Sequence, residues 1–555
     1  MGVAAAGLRA GRAASRAGRA AARAGREASQ ARRAVVLSGL AVAALMLVPV
    51  TYLTVRALEA DASSWDLILR GRTVWLALRS VGLAASVTLA AAALGVPLAW
   101  LTVRTDLPGR RLWGVVVALP LVIPSYVGAF ALLAALGPGG LLDTALEDTA
   151  LAGSLPDITG WPGAWASLTM FTYPYVYLLV AAGMKGLDPA AEEAARSLGR
   201  SSWATFRTVT LPLLRPSIAA GCLLVALYTL HDFGAVSLMR FPAFTQAIYL
   251  QYRGAFDRAP AAILSLLLVV IALGVLALEK SARGRARYYR SGTGSRRPLR
   301  RVALGRWKWG ALAFCSILSL TAFVLPVGVI VFWVVRALSE GDGIRFTWAA
   351  GWGSIFVSSA GALAALLAAL PVALLSARHP RRITTVVERV SYSGYALPGI
   401  VVALALVFFS INTVPLLYQS LPLVVIAYVV LFLPQAVEPL RGSLLQVGPR
   451  FEEAARALGK SRLGAFRAVL APLLAKGAGA GAALVFLTAM KELPATLLLR
   501  PTGFETLATR VWSGAASGLY GKAAGPALLL LAICAVPLYL LARRVEVEEA
   551  EVESR

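Results

Sequence analysis

Long apolar runs alternate with short polar loops along nearly the whole chain. Each run is long enough to cross the hydrocarbon core of a bilayer, which takes about 20 apolar residues in a helix. Because a spanning segment must satisfy its own backbone polar groups, the pattern predicts helices. About twelve runs qualify on this length. They cover residues 34–58, 74–103, 112–136, 161–183, 217–237, 260–279, 307–336, 351–377, 390–411, 422–440, 476–498 and 521–542.

The charges of the loops predict which side of the membrane each loop faces. Lys and Arg accumulate in the cytoplasmic loops of membrane proteins. Loops 104–111, 280–306 and 378–389 are rich in Arg, whereas loop 137–160 has four acidic residues and neither Lys nor Arg. We therefore expect the three basic loops and both chain termini in the cytoplasm, and loop 137–160 outside.

Composition agrees with a membrane protein. Of the 555 residues 58% are hydrophobic, and the formal net charge is +26. In a soluble protein this charge would favour nucleic acid as a partner. Here the basic residues lie between spans, so topology explains them and no nucleic-acid partner is expected. The three cysteines, Cys222, Cys315 and Cys534, lie in apolar segments without metal-ligand spacing, so neither a metal site nor a disulfide framework is expected.

Residues 1–33 form a segment rich in Ala, Arg and Gly. Its arginines recur every three or four residues, which places them on one face of a helix. They are Arg9, Arg12, Arg16, Arg19, Arg23 and Arg26. The segment is predicted to be a basic cytoplasmic extension resting on anionic membrane lipid, or a tail that only enforces orientation.

The second half of the chain repeats the first. The stretch that begins Glu193-Ala194-Ala195 returns as Glu453-Ala454-Ala455, 260 residues later. A repeat of this size indicates a duplicated fold, and six spans in each half put both copies the same way up. The predicted divisions are a basic extension, a first half, a basic connector, a second half and an acidic cytoplasmic tail. They cover residues 1–33, 34–279, 280–306, 307–542 and 543–555.

Both repeated stretches have the signals of a short capped helix. Asp188 is placed to cap a helix that begins at Pro189, and Gly199 to end it in a left-handed conformation. Ser201 is placed to cap a second short helix. The other loop repeats this order with Pro449, Gly459 and Ser461. A small apolar face on the first helix would allow another protein to approach closely; it comprises Ala191, Ala194, Ala195 and Leu198.

The twin loops resemble the coupling loops of ABC importer permeases. The family pattern is Glu-Ala-Ala, then Gly, then Leu-Pro, and the second loop departs from it at Ala471. The matching residues are Glu193, Ala194, Ala195, Gly199, Leu211 and Pro212 in the first loop, and Glu453, Ala454, Ala455, Gly459 and Pro472 in the second. The resemblance implies that each loop docks in a groove of a cytoplasmic ATPase.

The same resemblance supplies the expected partners and compartment. It implies two copies of the ATPase, an extracytoplasmic substrate-binding protein and a location in the inner membrane. Gly459-Lys460-Ser461 looks like the end of a phosphate-binding loop, but the required earlier glycine is Ala454. ATP and Mg are therefore expected on the partner ATPase, and this chain is expected to be a transport subunit, without a cofactor or a catalytic site of its own.

Two charged pairs fall at matching positions of the halves, after apolar stretches. They are His231-Asp232 and Lys491-Glu492. Because a charge in the bilayer core is costly, such residues usually face a cavity or a partner. We predict that they line the translocation path, with His231 and Lys491 pairing the acids. The alternative is that all four are simply hydrated at the headgroup level.

The segment from Lys491 to Pro501 resembles the ferric-iron branch of these permeases, in which both halves are fused. Fe(III) is a hard ion that suits carboxylate oxygens. Arg240 and Arg500, at matching positions beyond these pairs, are expected to contact the binding protein or to act as interfacial anchors. A thiamine or other small-solute permease is the nearest alternative.

The predicted fold is an all-α polytopic membrane protein of about twelve spanning helices in two tandem repeats of six. The predicted function is the permease subunit of an ATP-driven importer, with ferric iron as cargo. A twelve-span secondary transporter would explain the spans and acids but not the twin loops. A sensor or scaffold is supported by charge alone.

Overall fold

The computed structural model describes residues 33–149, 156–254, 259–282, 301–341, 345–378, 382–448 and 450–553. Almost all of the predicted basic extension and most of the connector lie outside these residues. The long elements of the described chain are all helical. An isolated parallel bridge joins Thr105 to Val302.

The first half contains long helices joined by short ones. They are α1 (Arg33–Leu58), α2 (Ala62–Leu69), α3 (Gly71–Arg104), α4 (Arg110–Val116), α5 (Ser125–Leu136), α6 (Leu141–Leu146), α7 (Trp161–Lys185), α8 (Pro189–Ser197), α9 (Ser202–Thr205), α10 (Leu211–His231), α11 (Gly234–Leu238), α12 (Phe244–Gly254) and α13 (Ala259–Ala282).

From α16 onward, the second half repeats the order of the helices from α3 to α13, without a counterpart of α6. Its helices are α14 (Lys308–Ser319), α15 (Leu325–Ser339), α16 (Arg345–Arg378), α17 (Arg382–Ser391), α18 (Gly399–Thr413), α19 (Leu421–Gln446), α20 (Arg450–Ala457), α21 (Arg462–Ala465), α22 (Ala471–Met490), α23 (Pro494–Leu499), α24 (Leu507–Ala516) and α25 (Tyr520–Glu553).

Eleven helices of the described chain are long and apolar enough to cross a membrane. A twelfth is reached if Arg382–Ala396 and Gly399–Thr413 form one broken span. The predicted class, an all-α protein with about twelve spans, is therefore confirmed.

Several spans that the apolar pattern predicts as continuous helices are broken in the structure. The run at 112–136 is interrupted between α4 and α5, and Pro124 is the N-cap of α5. Pro398 holds the same place before α18, inside the run at 390–411. The residue before a proline is disfavoured in the α conformation, so each proline starts a new helix instead of continuing the old one.

The described chain divides into two compact units. The smaller takes its described residues from Met1–Val48, Ala360–Tyr395 and Tyr428–Phe486, and the larger from Pro49–Ser359, Ala396–Ala427 and Leu487–Arg555. In the larger unit, α3 and α10 both pack on α7. A Cβ added to Gly221 would lie 2.8 Å from Val176 Cα, and one added to Gly95 would lie 2.8 Å from the backbone nitrogen of Tyr177. The missing side chains therefore allow the helices to approach closely.

The smaller unit repeats one of these contacts. A Cβ on Gly481 of α22 would lie 3.3 Å from Ala436 Cα of α19. Gly481 and Ala436 are each 260 residues beyond Gly221 and Val176. The sequence repeat is therefore also a repeat of helix packing.

Candidate functional site

The first Glu-Ala-Ala loop folds into the capped helix that its sequence predicts. Asp188 Oδ1 accepts a hydrogen bond of 3.0 Å from the backbone N–H of Ala190, and Pro189 is the first residue of α8. Gly199 ends the helix with φ +81°. Its N–H donates to Arg196 O at 2.9 Å, and the next N–H, of Arg200, donates to Ala195 O at 3.2 Å. These bonds satisfy carbonyls that the helix end leaves open.

The second loop has the same termination. Gly459 has φ +85°. Its N–H donates to Arg456 O at 3.0 Å, and Lys460 N–H donates to Ala455 O at 3.2 Å. The predicted first residue of this helix, Pro449, lies outside the described residues, as does the side chain of Glu453.

Both predicted serine caps are also present. Ser201 Oγ accepts from the N–H of Ala204 at 3.3 Å, and Ser461 Oγ accepts from the N–H of Gly464 at 3.1 Å. Each following short helix then passes through one π-helical turn, at Phe206–Thr210 and Phe466–Leu470. These turns lead directly into α10 and α22, so Leu211, Pro212 and Pro472 lie in the first turn of a long helix.

The acid that fixes the first loop is Glu192, the neighbour of the residue that the motif singles out. Glu192 is 8% exposed, whereas Glu193 is exposed. One carboxylate oxygen of Glu192 accepts a hydrogen bond from the Arg104 guanidinium, at the end of α3, and the other accepts from Thr210 Oγ1 at 2.8 Å. The Arg104 side chain is itself buried, so the two charges compensate each other away from water.

This inward face of α8 includes one of the motif alanines. Ala195, three residues after Glu192, is buried, whereas Ala194 is exposed. In the second loop Ala455 is buried and Ala454 is exposed. The predicted small apolar face is therefore divided between the interior and the surface.

The surface of each loop carries a large apolar side chain just before the terminal glycine. Leu198 is 83% exposed and Leu458 is 84% exposed. Trp203 on the first loop is 70% exposed. Leu198 belongs to the apolar face predicted from the sequence, whereas Leu458 and Trp203 were not predicted; an apolar side chain beside a helix-ending glycine is the signal that would have found Leu458.

The second loop is held differently. Arg378 ends α16 as Arg104 ends α3, but its Nη2 donates to the carbonyl of Val447 at 2.8 Å. Leu470 takes the place of Thr210 and cannot donate a hydrogen bond. The two loops are therefore alike in their helix ends and differ at Thr210 and Leu470; the side chain of Glu452, which matches Glu192, lies outside the described residues.

Asp232 lies at the break between α10 and α11. One carboxylate oxygen accepts from the N–H groups of Ala235 at 2.9 Å and Val236 at 3.2 Å. The other accepts from the hydroxyl of Ser125, which in turn accepts from Tyr228 Oη at 3.1 Å. Asp232 therefore caps the short helix that follows the break.

Glu492 has the matching position before α23, and its Oε1 accepts from the N–H of Ala495 at 3.1 Å. The predicted ion pairs are absent among the described residues. Lys491 Nζ instead donates to the carbonyl of Leu121 at 3.1 Å. The buried Nε2 atom of His231 has no hydrogen-bond partner among the described residues. The acids are satisfied by backbone N–H groups of their own broken helices, which leaves the neighbouring bases to other partners.

The breaks of the two halves meet inside the larger unit. A Cβ on Gly234 would lie 2.5 Å from Tyr126 Cβ and 3.1 Å from Leu493 Cδ2. Beside this contact Phe233 packs on Tyr249, with ring centroids 4.9 Å apart. Gly234 and Leu493, which follow the two charged pairs in the chain, are therefore neighbours in the larger unit.

Comparison with known protein families agrees with this duplicated architecture. The family described as binding-protein-dependent transport system inner membrane component matches twice, over residues 91–284 and 369–546. This chain belongs to that family. It is a multi-pass permease subunit of a binding-protein-dependent transport system, and its relatives are transport subunits, not enzymes.

Several curated relatives resemble the permease over different lengths. The Fe(3+)-transport system permease protein FbpB 2 of Haemophilus influenzae is 34% identical over 499 residues, which cover 89% of this chain and 94% of that protein. A probable ABC transporter permease protein of Sinorhizobium fredii, y4fN, is 27% identical over 78% of this chain and 80% of its own length. The molybdenum transport system permease protein ModB of Escherichia coli is 35% identical, over 25% of this chain and 60% of its own length.

The two arginines expected to contact the binding protein are not equivalent in the permease. Arg500 Nη1 donates to the carbonyl of Phe504 at 2.6 Å and lies 3.8 Å from the Glu505 carboxylate. Arg240 is exposed, with φ +51°, and forms no ion pair among the described residues.

Over the described residues, no group of three or more His, Cys, Asp or Glu side chains could hold a metal ion.

The ion pair behind α8 predicts a difference between adjacent glutamates. Glu192→Ala should loosen α8 by about 3–5 kcal/mol, because it leaves Arg104 buried without a counter-charge. Glu193→Ala should have little effect, because that side chain is exposed. Trypsin cleavage at Arg200 of the full-length permease in detergent measures the opening, and we expect at least about a tenfold faster rate in the first variant.

Removing Arg104 as well tests the cause. Arg104→Met combined with Glu192→Ala should recover part of the protection, since the uncompensated charge is then gone. Equal cleavage rates in the two glutamate variants would show that the ion pair does not hold the helix.

Proposed function

We propose that this permease imports ferric iron, and that cytoplasmic ATPases drive it through the two Glu-Ala-Ala loops. The observation that carries the coupling role is the pair of capped helices, each ending at a left-handed glycine beside an exposed leucine. Leu198 and Leu458 would enter grooves of two ATPase copies, with Ala194 and Ala454 permitting close contact. ATP and Mg would be bound by those ATPases.

The first loop is built to transmit force. Glu192 joins α8 to Arg104 of α3 and to Thr210 in the turn that leads into α10. A displacement of α8 by the ATPase would therefore also move α3 and α10, because breaking the buried ion pair between Glu192 and Arg104 would be costly. The second loop would act through Arg378 and the carbonyl of Val447.

This role requires both loops on the cytoplasmic side, and the loop charges support that orientation. The termini would then also be cytoplasmic, and Arg240 and Arg500 would face an extracytoplasmic binding protein. Arg240 is the better candidate for such a contact, because Arg500 is already engaged with Phe504 and Glu505.

Ferric iron as the cargo is supported by the full-length likeness to the fused ferric permease of Haemophilus influenzae. Molybdenum and sulfate transport permeases also match, but over 25% and 44% of this chain. On the proposed path, Fe(III) would pass the carboxylates of Asp232 and Glu492, which offer the oxygen atoms that this hard ion prefers.

Reconstitution tests the proposed function directly. The permease, its ATPase and its binding protein in liposomes should accumulate ferric iron when ATP is supplied, even after ion gradients are collapsed. Uptake that needs no ATPase would overturn the energy source. ATP-dependent uptake of thiamine or molybdate in place of iron would overturn the cargo alone.

The terminal glycines predict a specific loss of coupling. Gly199→Val combined with Gly459→Val should lower iron transported per ATP hydrolysed at least about tenfold, because a branched side chain strains a left-handed residue by roughly 1–2 kcal/mol and displaces the turn. The bundle should melt at an unchanged temperature.

Gly341→Val is the matched control, because Gly341 also has a φ of +81° and open space around it but lies after α15. It should transport normally. Normal coupling in the double variant would contradict the docking role of the loops.

The two acids predict a loss of transport without a loss of folding. Asp232→Asn and Glu492→Gln keep an oxygen that accepts from Ala235 or Ala495 while removing the charge, so the short helices should stay capped. Iron transport should fall about tenfold or more, as a loss of roughly 1.4 kcal/mol at the rate-limiting step would produce. Asp157→Asn removes the charge of an exposed acid and is the control. If the Asp232 and Glu492 variants transported iron as fast as this control, the two acids would not line the translocation path.

A further inference from the structure

The last part of the connector is hydrogen-bonded to the chain at the end of α3. Val302 N–H donates to the carbonyl of Arg104 at 2.8 Å, and Asp106 N–H donates to the carbonyl of Val302 at 3.2 Å. Asp106 Oδ1 accepts from Leu304 N–H at 2.9 Å, and its Oδ2 pairs with Lys308 Nζ at 2.9 Å. The only acid in this junction is thus already neutralised within the described residues.

A cavity of about 430 Å³ lies against this junction. Three arginines line it, Arg110, Arg111 and Arg301, together with Asp106, Leu107 and Gly109. None of the three arginines forms an ion pair with an acid in the described part of the chain. Burial, and then the nearby charges of Arg301 and Arg111, lower the pKa of Arg110. Guanidinium groups stay charged nonetheless, so the cavity gathers like charges that an anion would relieve.

The surroundings place this cavity at the depth of lipid headgroups. The candidate span that contains α3 ends at Arg104, and the candidate span that opens the second half begins at Gly305. Trp307 is 70% exposed and Trp309 is 79% exposed, close in sequence to the residues that bind Asp106. Exposed tryptophans gather at the boundary between hydrocarbon and water.

We propose that this cavity binds the phosphate of an anionic phospholipid headgroup. Arginine forks match the oxygens of a phosphate and form two parallel hydrogen bonds with it. The volume lies within the usual range for small-ligand sites, about 300–1,000 Å³. The exposed tryptophans favour a lipid over a free phosphate, because such residues gather at the membrane interface, where phospholipid headgroups lie. This lipid site does not depend on which cargo the permease transports.

Lipid binding would also fasten the connector to α3. Arg301, which precedes Val302, comes from the connector side, whereas Arg110 and Arg111 follow α3. One headgroup phosphate would therefore bridge two segments that are far apart in sequence. The backbone pairing of Val302 with Arg104 would be steadied by the same ligand.

Native mass spectrometry of the full-length permease can test this. The intact protein is titrated with phosphatidylglycerol, with phosphatidylethanolamine or with inorganic phosphate. We expect one phosphatidylglycerol to bind at least about tenfold more tightly than the zwitterionic lipid. Arg110→Gln, Arg111→Gln and Arg301→Gln combined should abolish that preference, since each basic residue near anionic lipid contributes about a few-fold in affinity.

The matched control removes the same charge elsewhere. Arg382→Gln, Arg389→Gln and Lys460→Gln change exposed residues of α17 and the second loop and should leave the tight lipid bound. If the triple arginine variant fails to fold, Arg301→Gln alone should still weaken binding. If the variant and the control lost the same preference for phosphatidylglycerol, general electrostatic attraction to the protein surface would explain the binding, and the proposed site would be wrong. Displacement of the lipid by millimolar inorganic phosphate would assign the cavity to a soluble anion and overturn the lipid.

Discussion

A charge buried at the base of a surface helix must be compensated, and this requirement fixes the first loop. Glu192 is shielded from water, and its two oxygens are taken up by Arg104 and Thr210. Because Arg104 ends α3 and Thr210 directly precedes α10, the buried acid ties the loop to both long helices.

Duplication has preserved the parts of each half that depend on the backbone. The left-handed glycines, the serine caps, the π-helical turns and the contact of Gly221 with Val176 recur in the second half. The side-chain contacts behind the loops have diverged, as Leu470 in place of Thr210 illustrates. Backbone geometry tolerates few residue types, whereas a helix can be anchored by many combinations of side chains. Under the proposed coupling role, the two loops would present the same helix ends to the ATPases while differing at Thr210 and Leu470.

The same distinction explains what could be predicted from the sequence. Spans, caps and left-handed glycines depend on local patterns, and those predictions for the described loops are confirmed. The choice between Glu192 and Glu193 depends on Arg104, 88 residues away, which no local pattern reveals. The partners of Lys491 and Asp232 likewise depend on where helices break. Pro124 and Pro398 are sequence signals of such breaks, but each lies inside a continuous apolar run that was predicted as one span.

The hydrogen bonds of the two acids at the helix breaks, Asp232 and Glu492, bear on how the proposed path could release its cargo. Each carboxylate has about four sites that accept hydrogen bonds. Asp232 uses three of them, for Ala235, Val236 and Ser125. Few oxygen lone pairs remain for a passing cation, and those of Glu492 are partly engaged with Ala495. On the proposed path, such acids would attract ferric iron without enclosing it. Tight chelation would stop transport, so the backbone bonds that cap the broken helices would also keep cargo binding weak.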